Sequence, residues 1–403
     1  MTKPVADATV MRTWSGLAAF YASMFVVLAV YMQFFPVWLH EVAGLPAEQV
    51  SMVLAALTVA RTLAGPVWAQ RVDRGGDARG VLLLLSVFSA LVFVGNTLAP
   101  SLFWFVVVSG VFGVVFSPMF PILDATTMQA AARAGFAFGR VRLVGSVTFL
   151  LTVLTAGALL ERTGSAFVMP LLLVALGVNA AVAGGLPRAA PRPAVVSPRS
   201  PWWQPLRSRP FVWLLLASAL IQGSHATYYN LSTVHWNAHG IGKSLSGALW
   251  AEGVLAEIVL LFVAVRTVER LRPTTLLLIG GAAAIVRWSV LAITVDVTLL
   301  FASNWLHGLS FACTYLGSLR ALDRRVAPHQ RATAQGLLGA ATSGLGMVGG
   351  GLLGGWLYDR DPALAFLTMA ALAALGVVLA FGLRIQAPRD QRPQSDTTAS
   401  GAT

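Results

Sequence analysis

The stretch SPMFPILDATTMQAAARAGFAFGRVRLVGSVTF, Ser117–Phe149, sets the terms for the whole chain. It places one acid, Asp124, inside an apolar helical run and two bases, Arg140 and Arg142, at the start of the next run. A helix needs about 20 apolar residues to cross a bilayer, and an Asp at its centre costs on the order of 2.5–3.5 kcal/mol on insertion scales. Antiparallel neighbours joined by a short loop would bring Asp124 and Arg142 to similar depth, so that each offsets the burial of the other. Along its own helix Arg142 is followed on the same face by Ser146 and Phe149. That face offers a cation, a hydroxyl and an aromatic ring, and it is expected to form half of a substrate site. The competing reading is an ion pair that only fixes helix packing.

Composition points the same way. The 403 residues are 57% hydrophobic and 11% charged, with a mean hydropathy of +0.74. A soluble chain of this length carries far more charge, so the protein is expected to be an all-α, multi-pass membrane protein. The single cysteine, Cys313, cannot form an intramolecular disulfide and reads as a small packing residue. The sequence has no zinc-type Cys/His cluster and no phosphate-cradling Gly-Lys-Ser/Thr loop. No cofactor is expected, and an ATP-driven motor is excluded from this chain. No nucleophile–base or metal constellation marks an enzyme.

The formal charge of +12 invites a nucleic-acid reading, which position rejects. The bases are scattered singly between apolar runs, without an aromatic-interleaved patch. With the N-terminus placed in the cytoplasm, the opposite loops hold only Arg162, Lys243 and Arg360, and Arg61 and Arg287 fall within helices. Every other base lies on the terminal side, as the positive-inside rule requires. Both termini are therefore expected in the cytoplasm, with the chain in the plasma membrane.

The apolar runs predict twelve transmembrane helices, near 13–38, 47–69, 80–99, 101–129, 140–161, 166–186, 210–237, 244–265, 274–295, 298–320, 332–357 and 363–384. Pro118 and Pro121 should bend the fourth. Residues 1–186 form a first six-helix bundle, 187–209 a Pro/Arg-rich cytoplasmic linker, 210–384 a second bundle and 385–403 a disordered cytoplasmic tail. Local matches relate the halves. RVDR at Arg71–Arg74 pairs with TVER at Thr267–Arg270, and AGALLERTG at Ala156–Gly164 with GGWLYDRDP at Gly354–Pro362. The offsets, 270 − 74 = 196 and 360 − 162 = 198, nearly agree. Two pseudo-symmetric bundles related by an axis along the membrane normal follow. Gly350 and Gly354 in the eleventh helix have the small-xxx-small spacing of a close helix contact.

The second half holds a further charged set. Glu252 and Glu257 lie in helix 8, Arg287 in helix 9 and His307 in helix 10. A histidine with a nearby carboxylate and an arginine suits a proton relay, and either glutamate could carry the proton. In helix 7, Gln222, His225, Tyr229 and Trp236 form one stripe, odd for a lipid face and sensible for a cavity wall, although Trp236 also suits the interfacial belt. Tyr228 joins this candidate wall. Tyr31, Phe34 and Phe35 read equally as cavity aromatics or interfacial anchors. Arg61 in helix 2 is a candidate anion or gate contact; snorkelling toward the cytoplasm is the competing reading.

Three stretches carry a family resemblance: FFPVWLHEVAGL; SPMFPILDA with FGRVRLVGSV; and QGSHATYYNLSTVHW with the Glu257 and VRW segments after it. The chain resembles major facilitator transporters of the 3-phenylpropionate permease type, a group related to the lactose permease and nucleoside:proton symporters. Asp124, Arg142, Phe149, Arg287 and His307 match positions of the lactose permease pattern, with Phe149 in place of a tryptophan. Two departures matter. Ser310 stands where that pattern has its coupling carboxylate, and Asn304 stands where it has a lysine. Ala69 also replaces the acid of the usual signature between helices 2 and 3.

The resemblance implies a proton-coupled symporter that imports a small organic solute by alternating access, with an aromatic carboxylate such as 3-phenylpropionate as the expected substrate. Asp124, Arg142, Phe149, Gln222, His225, Tyr228 and Tyr229 are the expected substrate contacts. Glu252, Glu257, Arg287 and His307 are the expected proton-coupling residues. A sugar or nucleoside symporter and a drug-efflux antiporter are the alternatives. The expected partners are the solute, protons and membrane lipid, with no nucleic acid and a monomeric chain.

Overall fold

The computed structural model describes residues 3–73, 77–98, 101–186, 201–263, 268 and 270–385. The regular elements among them are all helical. The first half contains α1 (Lys3–Glu41), α2 (Ala47–Asp73), α3 (Ala78–Val94), α4 (Leu102–Phe116), α5 (Met119–Ala134), α6 (Phe138–Thr163) and α7 (Val168–Gly184). The second contains α8 (Arg209–Gly223), α9 (Ala226–Ala238), α10 (Lys243–Val263), α11 (Pro273–Ile293), α12 (Val297–Asn304), α13 (Thr314–Asp323), α14 (Arg331–Gly339), α15 (Met347–Tyr358) and α16 (Pro362–Ile385). Four pairs, α4/α5, α8/α9, α12/α13 and α14/α15, are interrupted spans, so the helices make two bundles of six spans. Among the described residues, eight helical spans are long and apolar enough to cross a membrane by length and composition alone.

The interruptions refine the sequence reading. The fourth span breaks at Ser117–Pro118 and then continues to Ala134, because Pro118 and Pro121 cannot donate to the helical ladder. The seventh, expected as one helix, breaks at Ser224–His225. There the Ser224 hydroxyl donates to the Ile221 carbonyl at 2.7 Å and accepts the Trp288 indole N–H at 2.9 Å. Gly308–Cys313 and Ala340–Gly346 widen the tenth and eleventh spans into π-helix, a form common at functional positions. Pro36 lies inside α1 without ending it. The linker residues 187–200 and the tail beyond Ile385 lie outside the described residues, as do the side chains of Ala69 and of the RVDR segment.

In the first half, α1 packs on α6 and α7. Tyr31 and Phe35 stack at 4.9 Å and meet Phe93 and Phe112 in an aromatic core. Phe34 is equally buried, so all three belong to packing rather than to the cavity or the membrane interface. Trp236 is fully buried, its ring 5.9 Å from Tyr228, which removes it from the interfacial belt. Cys313 is buried beside Val268 and Leu276. Gly350 and Gly354 press onto Gly223 and Thr227 of the seventh span, where a Cβ would collide.

The halves touch along α6–α10, α2–α15 and α1–α9. These seams close one end of the molecule, the end carrying Glu41, Glu161, Lys243 and Asp359. A Cβ on Gly157 would lie 2.6 Å from the Lys243 carbonyl, and one on Gly355 would lie 2.8 Å from the Ala47 carbonyl. The Lys243 ammonium reaches Glu41 at 3.3 Å, and the Asn237 amide donates to the same carboxylate at 3.3 Å. Away from this seal, the side chains of Arg142 and Asp124 are 38% and 41% exposed, although both project from apolar helices.

Candidate functional site

A cavity of about 120 Å³ lies between the halves beneath the sealed end. Met32 of α1 and Phe149 of α6 line it from the first half. From the second half come Tyr228 and Tyr229 of α9, Trp250, Gly253, Val254 and Glu257 of α10, and His307. Trp250, Val254 and Glu257 recur at i, i+4 and i+7, one face of α10. That spacing, counted back from Glu257, would have found Trp250 in the sequence. Tyr228 stacks on Trp250 at 5.5 Å, and Tyr229 meets the His307 ring edge-on at 6.2 Å. The wall is therefore mostly aromatic, with one acid and one imidazole in it.

One layer behind lies Arg287, 1% exposed. Its guanidinium sits over Tyr228 at 4.7 Å and Trp288 at 4.6 Å, favourable cation–π geometry in a desolvated setting. Nη1 donates to His307 Nδ1 at 3.0 Å and to the Ser310 hydroxyl at 3.2 Å. Nη2 donates to the Asn304 side-chain oxygen at 3.2 Å, and the Asn304 amide in turn donates to the Leu249 carbonyl at 3.0 Å. Every one of these acceptors is neutral. Among the described residues no carboxylate comes within 4.0 Å of Arg287. Its partners include both positions, Asn304 and Ser310, where the chain departs from the lactose permease pattern.

His225 lies off the cavity, buried at the break in the seventh span. Its Nδ1 donates to the Ile221 carbonyl at 3.1 Å, which leaves Nε2 to accept from the Ser310 hydroxyl at 3.1 Å. Ser310 thus links His225 to Arg287. Gln222 does not line the cavity, and its side-chain oxygen is buried without a hydrogen-bond partner. Glu252 also stays off the lining and buries one carboxylate oxygen unpartnered. Of the two glutamates, Glu257 is the one beside His307.

The pair from the opening stretch lies nearer the exposed end. Arg142 Nε and Asp124 Oδ1 are 4.0 Å apart. Asp124 accepts the Tyr21 hydroxyl at 2.5 Å, and the Arg142 guanidinium covers the Phe25 ring at 4.6 Å. Neither aromatic was singled out in the sequence, because both belong to α1, where Tyr21 lies 103 positions before Asp124. Arg142 contacts Ser146 only at 3.5 Å. Phe149 is two turns further along α6, about 10 Å at 1.5 Å per residue. Arg142 nevertheless shares the Phe149 face and acts electrostatically on Glu257. Arg61 is elsewhere: its Nη2 donates to the Ser343 carbonyl at 3.1 Å, tying α2 to the π-helical part of the eleventh span.

Residues 14–368 match the family described as MFS_1 like. The chain belongs to that family. It is a major facilitator superfamily transporter and not an enzyme. It is 29% identical over 323 residues to the probable 3-phenylpropionic acid transporter of Escherichia coli, covering 78% of this chain and 84% of that one. It is 28% identical over 349 residues to the maltose permease of Geobacillus stearothermophilus, covering 85% and 86%. A mutant form of the nucleoside transporter NupG superposes with a TM-score of 0.82 at 16% identity, over 93% of this chain and 99% of that one. That likeness bears on the fold alone.

Proposed function

We propose that this transporter imports a small aromatic carboxylate, of the 3-phenylpropionate kind, together with protons. The observation that carries the reading is Arg287: a sealed cation with no carboxylate within 4.0 Å among the described residues, one layer behind Tyr228 and His307 in the wall of a cavity that Tyr229, Trp250 and Phe149 also line. A buried charge is costly unless paired, and a carboxylate solute would supply the missing countercharge each time it binds. In the lactose permease pattern an internal carboxylate stands at the position of Ser310, as suits a neutral sugar. The likeness to the probable 3-phenylpropionic acid transporter of Escherichia coli supports the same reading.

In this reading Glu257 loads and releases the proton, with His307 beside it and Arg142 across the cleft. Arg142, balanced by Asp124, guides the anion inward. The halves, 1–186 and 210–384, rock about the site. With both termini in the cytoplasm of a bacterial inner membrane, the sealed end faces outward. Uptake of labelled 3-phenylpropionate into proteoliposomes under an outside-acid gradient tests this. Accumulation should collapse when the gradient is dissipated and should resist excess maltose or nucleoside. Competition by either neutral solute would instead establish the sugar or nucleoside alternative, in which Asp124 and Arg142 bind hydroxyls.

A further inference from the structure

Arginine only donates hydrogen bonds. The 3.0 Å contact from Arg287 Nη1 therefore makes His307 Nδ1 an acceptor, and the ring hydrogen of the neutral imidazole must sit on Nε2. The ring lines the cavity, and its Cδ2 edge lies nearest Gly253, another lining residue. Nε2 has no protein partner among the described residues. We infer that His307 Nε2–H is the donor that receives the carboxylate of the solute, and that Arg287 is the positioning residue that holds it in that tautomer. The inference rests on the aromatic-carboxylate reading and deepens it, because it orients the solute. The anionic end points to His307, and the ring lies among Tyr229, Trp250 and Phe149.

The test exploits the shape of two amides. The side-chain nitrogen of Gln reaches where Nε2 lies, and that of Asn only where Nδ1 lies. Equilibrium binding of 3-phenylpropionate and of the neutral 3-phenylpropan-1-ol should be measured on the purified transporter and on His307→Gln and His307→Asn. The expected result is acid binding within about fivefold for His307→Gln and at least 30-fold weaker for His307→Asn, with the alcohol bound equally by both. Alcohol binding also reports that each variant is folded. Equal acid affinities in the two variants, whether kept or lost, would overturn the inference alone. Failure of the unaltered protein to bind the acid would remove the carboxylate reading and the inference together.

A second inference stands on the sealed end. Asp359 accepts the backbone N–H groups of Ala47 and Glu48, both at 2.8 Å, at the first turn of α2. Glu161 accepts the N–H of Ser244 at 3.2 Å, at the first turn of α10. Each acid belongs to one half and caps a helix of the other, and the two acids are related by the internal repeat (359 − 161 = 198). A carboxylate at a helix N-terminus satisfies orphan donors and meets the positive end of the dipole. We propose that this pair of exchanged caps is the latch that holds the end shut and that both release when it opens.

Ser51, fully buried against Gly355, gives a reporter. In a Cys313→Ala, Ser51→Cys background, Glu161→Ala with Asp359→Ala should raise labelling by a membrane-impermeant maleimide at least tenfold. Each single change should raise it less, and Asp359→Asn, which keeps an acceptor, least. Unchanged labelling in the double variant would overturn the latch, as would equal labelling by Asp359→Asn and Asp359→Ala. Retained 3-phenylpropan-1-ol binding serves as the folding control.

Discussion

Arg142 and Arg287 each act on a residue that lines the cavity, Glu257 and His307 respectively, and their surroundings differ in almost every respect. Arg142 has an acid, a half-exposed position and an aromatic ring beneath it. Arg287 has no acid among the described residues, is 1% exposed and is held by an imidazole, a hydroxyl and an amide. An exposed pair is worth about 0–1 kcal/mol because water and salt screen it. A sealed cation without an anion keeps its charge at full strength for whatever reaches it. The contrast teaches that the conspicuous pair is suited to steering and that the quiet arginine is suited to holding.

The largest test removes the holder. Arg287→Gln should weaken 3-phenylpropionate binding by about 100-fold, from the roughly 1.5–3 kcal/mol of a hydrogen bond to a charged group, with the effect passed through His307. Titration calorimetry on the purified variant checks it, and an unchanged Kd would refute the role. Next in size is the change that makes the second arginine resemble the first. Ser310→Glu places a carboxylate where Arg287 now donates to a hydroxyl. The internal acid should compete with the solute and weaken acid binding by roughly 10- to 50-fold, while 3-phenylpropan-1-ol is bound within about threefold. Equal losses for acid and alcohol would show that the substitution acts through packing.

These contrasts were only partly legible in the sequence. A charge inside an apolar run is conspicuous, which is why Asp124, Arg142, Arg287 and His307 could be singled out, and proline chemistry pointed to a bend before Asp124, where the helix in fact breaks. The break at Ser224–His225 carries no such mark. There Trp288, a residue of another span, donates to Ser224, and Gly223 presses on Gly346. Which groups surround each arginine was beyond one-dimensional reading, since Tyr21 and Phe25 come from α1 and Asn304 and Ser310 from the tenth span. Trp250 was within reach from Glu257 by helical spacing.

A smaller effect separates the aromatic wall from the charges. Phe149→Leu keeps an apolar surface but loses the ring, worth about 0.5–1.5 kcal/mol of aromatic contact. Binding of 3-phenylpropionate and of its alcohol should weaken alike, by roughly two- to tenfold, because the ring does not sense the solute's charge. A loss confined to the acid would move Phe149 to the anionic end and reverse the orientation inferred from His307.

The smallest effect belongs to the pair that stands out most in the sequence. Asp124→Asn removes the countercharge of Arg142 but leaves an oxygen to accept the Tyr21 hydroxyl. At 4.0 Å and about 40% exposure, the lost attraction is worth at most about 1 kcal/mol. Equilibrium binding of 3-phenylpropionate should therefore change by no more than about fivefold, and the direction should be toward tighter binding, because Arg142 is then free to attract the anion. The gain should shrink between low and high salt as exposed charges are screened. A large loss of affinity instead would place Asp124 in direct contact with the solute, and the division between a steering arginine and a holding one would have to be redrawn.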